Sequence, residues 1–122
     1  MGVVHHSNYV RYLELARIRW MDEHHRSYRE YVADGQHFAT THVEVDYYRS
    51  AAFDDEIHIT AWLDWIRRAS LRMAYRLTTS EGLICSGATE HALVDLRGRV
   101  QRIPREERKR LGRVSASALR GD

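Results

Sequence analysis

Two adjacent histidines, His5 and His6, stand immediately before a stretch of helical periodicity. Ser7 or Asn8 could accept hydrogen bonds from the first free N–H groups of that helix. Those N–H groups and the helix dipole favour a developing negative charge at this end. A polar loop that opens onto the N-terminus of a buried helix is a candidate reaction site.

The helix that must position these histidines is predicted from about Asn8 to His24. One face carries apolar side chains at helical spacing, at Tyr9, Tyr12, Leu13, Ala16 and Trp20. Ser27 with Glu30 three residues later is typical of a capping box. It predicts a second, short helix over residues 28–33, which Asp34-Gly35 would end.

After the second helix, the spacing of apolar residues changes from helical to alternating, which predicts strands. The predicted strands span residues 38–49, 57–66, 71–77 and 83–96. Residues 79–82, Thr-Ser-Glu-Gly, are typical of a hairpin turn. We expect residues 100–103 to extend the sheet. Pro104 suits the first turn of a last helix, predicted over residues 105–111.

This order of elements predicts a two-layer α+β domain. Four antiparallel strands joined by short connections have one face to cover, and the long helix carries a matching apolar stripe. We therefore expect one domain over residues 1–112, followed by a flexible C-terminal tail over 113–122.

The composition excludes several classes of protein. No apolar run approaches the ~20 residues of a membrane helix, so we expect no membrane insertion. A net charge of +2 does not indicate nucleic-acid binding. The N-terminus lacks the basic and apolar regions of a signal peptide. Cys85 cannot form an internal disulfide, which fits a cytoplasmic location, and we expect it to be a buried, inert thiol.

The opening segment also has the pattern of a known family. The motif is Gly2-Val3-Val4-His5-His6-Ser7-Asn8-Tyr9, followed by Tyr12, Glu14, Ala16 and Arg17. Later segments fit the same pattern, namely Asp46-Tyr47-Tyr48, 67–71, Thr89-Glu90-His91-Ala92 and 98–104. Over roughly residues 1–111 the chain resembles the small acyl-CoA thioesterases of the 4-hydroxybenzoyl-CoA thioesterase type. The resemblance implies the hotdog fold, a central helix wrapped by a curved antiparallel sheet, in a homodimer or homotetramer.

The same resemblance implies hydrolysis of an acyl- or aroyl-coenzyme A thioester without a cofactor. It places the thioester carbonyl near His6, which would orient or polarise the substrate. The residues it assigns to substrate binding are Gly2, Val3, Val4, Ser7, Asn8 and Tyr9. Tyr9 could instead be a core residue. Glu14 could act as a general base, or could have a structural or dimer-contact role.

For coenzyme A, the resemblance points to Arg67 and Arg68, at a turn where the family places basic residues near the nucleotide phosphates. Arg99, Arg102 and Arg105 are candidates of second rank. The alternative is that these arginines are only solvated charges. The pairs His5-His6 and His24-His25 lack the i, i+4 spacing of a zinc motif, so we expect no metal site.

In one respect the chain departs from the family pattern. The family begins with a strand and then an Asp that acts as nucleophile or general base. By the family spacing this Asp would fall about two residues before Met1, so we expect the strand and the acid to be missing from this chain. A start codon assigned too far downstream, a truncation or a loss of the usual chemistry would each explain this, and we expect one of the first two, because the remaining motif is intact. A non-catalytic hotdog protein that binds an acyl thioester or a partner protein is therefore the alternative function. A hotdog dehydratase ranks last, because its histidine motif is not matched.

Overall fold

The computed structural model describes residues 6–24, 27–49 and 55–119, with side chains at 11–23, 27, 29–49 and 55–112. In chain order the elements are α1 (His6–His24), α2 (Tyr28–Ala33), β1 (Gln36–Tyr47), β2 (His58–Ile66), β3 (Ser70–Thr79), β4 (Gly82–Asp95) and α3 (Arg105–Leu119). The predicted order of helices and strands is confirmed. None of the described helices is long and apolar enough to cross a membrane.

Three boundaries differ from the sequence-based prediction. Helix α1 already contains Ser7 and Asn8, so the prediction that one of them caps this helix is wrong. Helix α3 continues past Leu111 to Leu119, because no proline follows and Ala116, Ala118 and Leu119 favour the helix. Residue Val100 forms only an isolated bridge with Val94, not a strand. The mobility expected of the C-terminal tail stays a prediction.

The four strands form one antiparallel sheet in the order β1-β4-β3-β2. Alternation along β3 sends Leu71, Met73, Tyr75 and Leu77 to one face, where all four are buried. Register shifts interrupt β1 between Thr40 and His42, and β2 between Leu63 and Trp65. Such bulges bend a strand and increase its twist.

Helix α1 covers the apolar face of the sheet. Its Leu13, Trp20 and Met21 are buried in the same cluster as the β3 residues. A Cβ atom at Gly87 of β4 would lie 2.8 Å from the Glu44 carbonyl oxygen and 3.2 Å from Leu13 Cδ1. At this position α1 and β1 therefore lie so close to β4 that only a glycine fits.

Helices α2 and α3 close one end of the domain. The predicted cap of α2 is confirmed, since the Glu30 N–H donates to Ser27 Oγ at 3.2 Å. Tyr31 of α2 is buried edge-on against Phe38, with ring centroids 5.1 Å apart, and its hydroxyl donates to Glu107 of α3 at 3.1 Å. Helix α3 also packs against β2, with Leu111 in the core.

Candidate active site

The N-terminus of α1 is where the sequence places the reaction. His6 is the first residue of this helix rather than a loop residue before it. The first N–H groups of a helix have no partner within it, so this end can bind an oxygen that gains negative charge. Gly2, Val3 and Val4 lie outside the described residues, and so do the side chains of residues 6–10. The contacts predicted for them, including those of Ser7, Asn8 and Tyr9, stay predictions.

Glu14 lies on the exposed side of α1, whereas Leu13 and Arg17 are buried against the sheet. At a rise of 1.5 Å per residue, His6 and Glu14 are about 12 Å apart along the helix axis. The two residues can act on one substrate only from different turns of the helix.

The structure brings the predicted coenzyme A residues to one end of the sheet. Arg67 and Arg68 form the exposed turn between β2 and β3. The Ile103 N–H donates to the Arg68 carbonyl at 2.7 Å, so the segment that contains Arg102 runs beside this turn. Arg99 lies at the base of that segment, where its N–H donates to Asp95 Oδ1 at 2.9 Å. Two chain segments therefore present arginines at the same end.

Arg67 has an aromatic support. Its guanidinium carbon lies 4.0 Å from the centroid of the Trp65 ring, a cation–π arrangement. The Arg67 N–H donates to the Ser70 carbonyl at 2.8 Å, which closes the turn. Contact with the ring restricts the exposed Arg67 side chain, and its planar guanidinium fork could bind a phosphate.

A chain of hydrogen-bonded polar side chains runs beneath α1, from the buried Tyr75, Thr89 and His91 to Thr40 on the exposed part of β1. The Tyr75 hydroxyl and Thr89 Oγ1 are 2.7 Å apart, and Thr89 Oγ1 lies 2.7 Å from His91 Nε2. His91 Nδ1 then lies 3.2 Å from Thr40 Oγ1 on β1. Arg17 of α1 is buried nearby, and one of its N–H groups lies 3.9 Å from Met21 Sδ.

Burial sets the protonation states of this chain. It lowers the pKa of His91 to about 3, and the positive charge of Arg17 acts in the same direction. Burial raises the pKa of Tyr75 to about 12, against the opposing effects of Thr89 and Arg17. The sequence analysis did not single out Arg17 as a buried charge. Its spacing from Leu13 and Met21, four residues each way, places it on the apolar stripe and was the available signal.

Cys85 fits its predicted inert role. It is fully buried, and burial raises the pKa of its thiol to about 11, with a smaller effect from Asp46. The thiolate that a nucleophile needs is therefore disfavoured.

A groove of about 410 Å³ lies between α1 and β2. Tyr12, Ala16 and Trp20 line it from the helix, and Ile59 and Ala61 line it from the strand. Most of these side chains are apolar. The groove begins at Tyr12, within two turns of the N-terminus of α1.

The opposite face of the sheet carries a cluster of charges around Arg72. Its guanidinium lies 2.7 Å from Glu90, 2.8 Å from Glu44 and 3.0 Å from Asp64. His42 lies 3.2 Å from Glu44, so His42, Glu44 and Glu90 could in principle share a cation. Arg72 already neutralises both of these carboxylates and lowers the pKa of Glu44, chiefly by hydrogen bonding to it.

Comparison with known proteins identifies relatives of this chain. It is 31% identical over 87 residues to the acyl-CoA thioester hydrolase YbgC of Escherichia coli O6:H1, an alignment that covers 71% of this chain and 65% of the relative. The chain thus spans less than two thirds of the length of this curated relative.

Solved structures share the fold. A thioesterase from Thermus thermophilus, crystallised with coenzyme A and Zn, superimposes with a TM-score of 0.78 at 27% identity, over 94% of this chain and 83% of that one. A DHNA-CoA thioesterase from Staphylococcus aureus has the same fold, with a TM-score of 0.89 at 23% identity, over 100% of this chain and 85% of that one.

The family comparison covers nearly the whole chain. The family described as the thioesterase-like superfamily matches residues 1–111, from the segment before α1 to the buried Leu111 in α3. The structural neighbours have the hotdog fold, and the α+β hotdog architecture predicted from the sequence is confirmed. The chain belongs to the thioesterase-like superfamily.

Proposed function

We propose that this protein hydrolyses the thioester of an acyl- or aroyl-coenzyme A. The observation that carries the proposal is the family match over residues 1–111, which includes the N-terminus of α1. The relationship to an acyl-CoA thioester hydrolase supports the reaction, and the coenzyme A in the Thermus thermophilus thioesterase supports the ligand.

In the proposed reaction, water attacks the thioester carbonyl carbon. The carbonyl oxygen gains negative charge, which the free N–H groups at the start of α1 would stabilise; one such donor typically contributes ~10²–10³ in rate. His6 would orient or polarise that carbonyl. The carbon–sulfur bond then breaks, and the products are a carboxylate and the coenzyme A thiol.

The attacking water must lose a proton to a general base. Glu14 is the candidate in this chain. The family resemblance offers a second candidate for the base, an Asp that by the family spacing would fall about two residues before Met1. Replacing Glu14 in a form extended upstream of Met1 separates the two possibilities, because turnover that does not depend on Glu14 would leave the upstream Asp as the base.

The coenzyme A phosphates would bind at the end of the sheet where Arg67, Arg68 and Arg99 lie. Arg67 is held on Trp65 at 4.0 Å, which reduces the entropy lost when it binds a phosphate. The guanidinium fork matches phosphate geometry. The substrate would then extend from this end towards the N-terminus of α1.

A test measures hydrolysis of several acyl-coenzyme A esters with a thiol reagent. We expect turnover by the wild type and a loss of at least tenfold in kcat for His6→Ala. His58→Ala is the matched control, since His58 is exposed on β2. If neither this chain nor a form extended upstream of Met1 turns over any ester while coenzyme A still binds, the catalytic proposal is contradicted.

Arg67→Ala tests the coenzyme A contacts separately. We expect a rise in KM with little change in kcat, because this contact is made in both the ground state and the transition state. Arg29→Ala, at an exposed position on α2, is the control. An unchanged KM would remove Arg67 from the site.

The alternative function, a non-catalytic hotdog protein, shares this ligand. It predicts that coenzyme A binds, that Arg67→Ala weakens binding, and that no ester is hydrolysed. Measuring coenzyme A binding by calorimetry beside the turnover assay distinguishes the two functions.

Assembly and location are also part of the proposal. Strand β1 is an outermost strand of the described sheet, and pairing with β1 of a second copy would give the homodimer implied by the family, or half of a homotetramer. We retain a cytoplasmic location, because the free thiol of Cys85 suits a reducing compartment.

A further inference from the structure

The turn that follows β4 carries the two most exposed large apolar side chains of the described residues. Leu96 is 81% exposed and Val100 is 65% exposed. A Cβ atom at Gly35 would lie 3.9 Å from Leu96 Cδ1, so the end of α2 supports one side of Leu96 and leaves the rest in water. A single apolar residue on a surface is ordinary, but two within one short turn form a patch.

Hydrogen bonds hold this turn in one conformation. Asp95 Oδ1 accepts from the Arg97 N–H at 2.8 Å and from the Arg99 N–H at 2.9 Å. The Asp95 N–H donates to the Arg99 carbonyl at 2.9 Å, and Gly98 closes the turn with a positive φ of 79°. The fold therefore holds Leu96 in water on an ordered turn.

The two apolar side chains start from the same face of the sheet. Val100 forms an antiparallel bridge with Val94, and residues opposite each other in such a pair project to one face. Leu96 follows Val94 by two residues, so alternation directs it to that face as well. A flat surface can thus contact both side chains at once.

Positive charge surrounds this patch. The Ile103 N–H donates to the Arg68 carbonyl at 2.7 Å, which places the turn between β2 and β3 beside residues 95–103. Asp95 is the only acid within residues 67–70 and 95–103, and its carboxylate already accepts two backbone N–H groups. The exposed arginines of these two segments are Arg67, Arg68, Arg97, Arg99 and Arg102.

We propose that this end of the domain binds an anionic lipid surface, with Leu96 and Val100 between the headgroups and the arginines against the lipid phosphates. Apolar side chains gain free energy when they leave water for the boundary between headgroups and acyl chains. Basic side chains are attracted to the negative potential of an anionic leaflet, and guanidinium groups match phosphate geometry. The protein would lie on the membrane surface, and no segment would cross it.

The combination of apolar and basic side chains favours a lipid surface over other anionic ligands. The phosphates of a soluble ligand such as coenzyme A would engage arginines but would leave Leu96 and Val100 in water. An acidic protein would need a shape that matches the turn, whereas lipids rearrange around it. This inference goes beyond the proposed hydrolysis and does not rest on it.

Co-sedimentation of the full chain with lipid vesicles tests the proposal. One set of vesicles contains phosphatidylglycerol and phosphatidylcholine in equal parts, and the other contains phosphatidylcholine alone. We expect binding to the anionic set only. Leu96→Ser should weaken this binding about tenfold, the effect of roughly two methylene groups that no longer leave water. Leu83→Ser, at an exposed leucine near the opposite end of β4, is the matched control and should bind like the wild type.

Arg97→Glu tests the contribution of charge. We expect it to weaken binding to anionic vesicles about tenfold or more, because the change replaces an attraction to the leaflet with a repulsion. Arg49→Glu makes the same change in net charge at the other end of the sheet, beside Glu81, and should have a much smaller effect. Circular dichroism checks that each variant is folded.

Three results would each overturn the proposal: no sedimentation of the wild type with anionic vesicles, wild-type binding by Leu96→Ser, or wild-type binding by Arg97→Glu. Undiminished binding by Leu96→Ser would mean that phosphates alone hold the protein. Neither Leu96 nor Arg97 belongs to the proposed coenzyme A site, so hydrolysis of a soluble acyl-coenzyme A should be unchanged in both variants. Failure of the lipid proposal is therefore distinguishable from failure of the proposed reaction.

Discussion

At the scale of single residues, His91 has an environment that only the folded chain supplies. Both of its ring nitrogens lie within hydrogen-bond distance of threonine hydroxyls, and Arg17 faces it from α1. A protonated His91 would place a second positive charge beside Arg17 in the core. The sequence predicts that His91 lies on a strand. It could not predict the buried, hydrogen-bonded environment of His91, because Arg17 and Thr40 are distant from it along the chain.

The pKa of His91 predicts a loss of stability in acid. It is about 3 in the folded chain, below the ordinary value of 6.5, so the unfolded chain binds a proton first as the pH falls. The stability that comes from keeping His91 neutral in the core is present above pH 6.5 and is lost as the pH falls from 6.5 to about 3. At pH 5 it should reduce the free energy of unfolding by about 2 kcal/mol relative to pH 7.

Urea unfolding at pH 7 and pH 5 measures this effect. We expect His91→Gln to show a smaller difference between the two pH values than the wild type, since glutamine does not titrate. His58→Gln, at an exposed histidine, should behave like the wild type. Equal differences for the wild type and His91→Gln would contradict the prediction.

At the scale of elements, the sequence predicted helices and strands well because their signals are local. The cap at Ser27 and the alternation in β3 each depend on a few neighbouring residues. The start of α1 and the end of α3 were missed, since Ser7 and Asn8 are compatible with a first helical turn as well as with a cap. The close contact of α1 with β4 at Gly87 joins distant segments, and nothing near that glycine in sequence predicts it.

Gly87→Ala tests how closely α1 and β1 approach β4. The added Cβ would meet the Glu44 carbonyl oxygen at 2.8 Å, and backbone cannot move aside cheaply. We expect a loss of about 1–3 kcal/mol in the free energy of unfolding.

The matched control is Gly112→Ala in α3, where a Cβ meets no described atom within 4 Å. It should stabilise the protein by up to about 1 kcal/mol, since alanine is the better helix residue. Denaturant unfolding of both variants measures the two changes in the free energy of unfolding. A Gly87→Ala protein as stable as the wild type would show that the helix can move away.

At the scale of the whole molecule, one side chain connects every strand of the described sheet. Arg72 of β3 forms ion pairs with Glu44 of β1, Glu90 of β4 and Asp64 of β2. Each partner was visible in the sequence as an ordinary charged residue. Their convergence depends on strand order, which alternation alone does not determine. The assignment of the N-terminal segment to a substrate site likewise came from family resemblance and not from periodicity.

Arg72→Leu should destabilise the sheet by about 1–3 kcal/mol at pH 7, because it leaves three carboxylates without their shared cation. Thermal unfolding measures the change. Arg72 holds the pKa of Glu44 below its ordinary value, chiefly by hydrogen bonding, so the stabilisation from this pair is lost as Glu44 is protonated and the deficit should shrink in acid. Arg49→Leu, which breaks one exposed ion pair with Glu81, is the control and should change stability by less than about 0.5 kcal/mol. A deficit independent of pH would indicate lost packing instead of charge.

The strand order also has a consequence for the route by which the chain folds. Strands β2, β3 and β4 follow one another as hairpins, whereas β1 must reach β4 across the two hairpins between them. Closing that long loop costs entropy before its contacts form. The three-stranded meander should therefore form in the folding transition state and β1 should join afterwards. Substitutions in the β3–β4 hairpin would then slow folding, and Val45→Ala in β1 would chiefly speed unfolding.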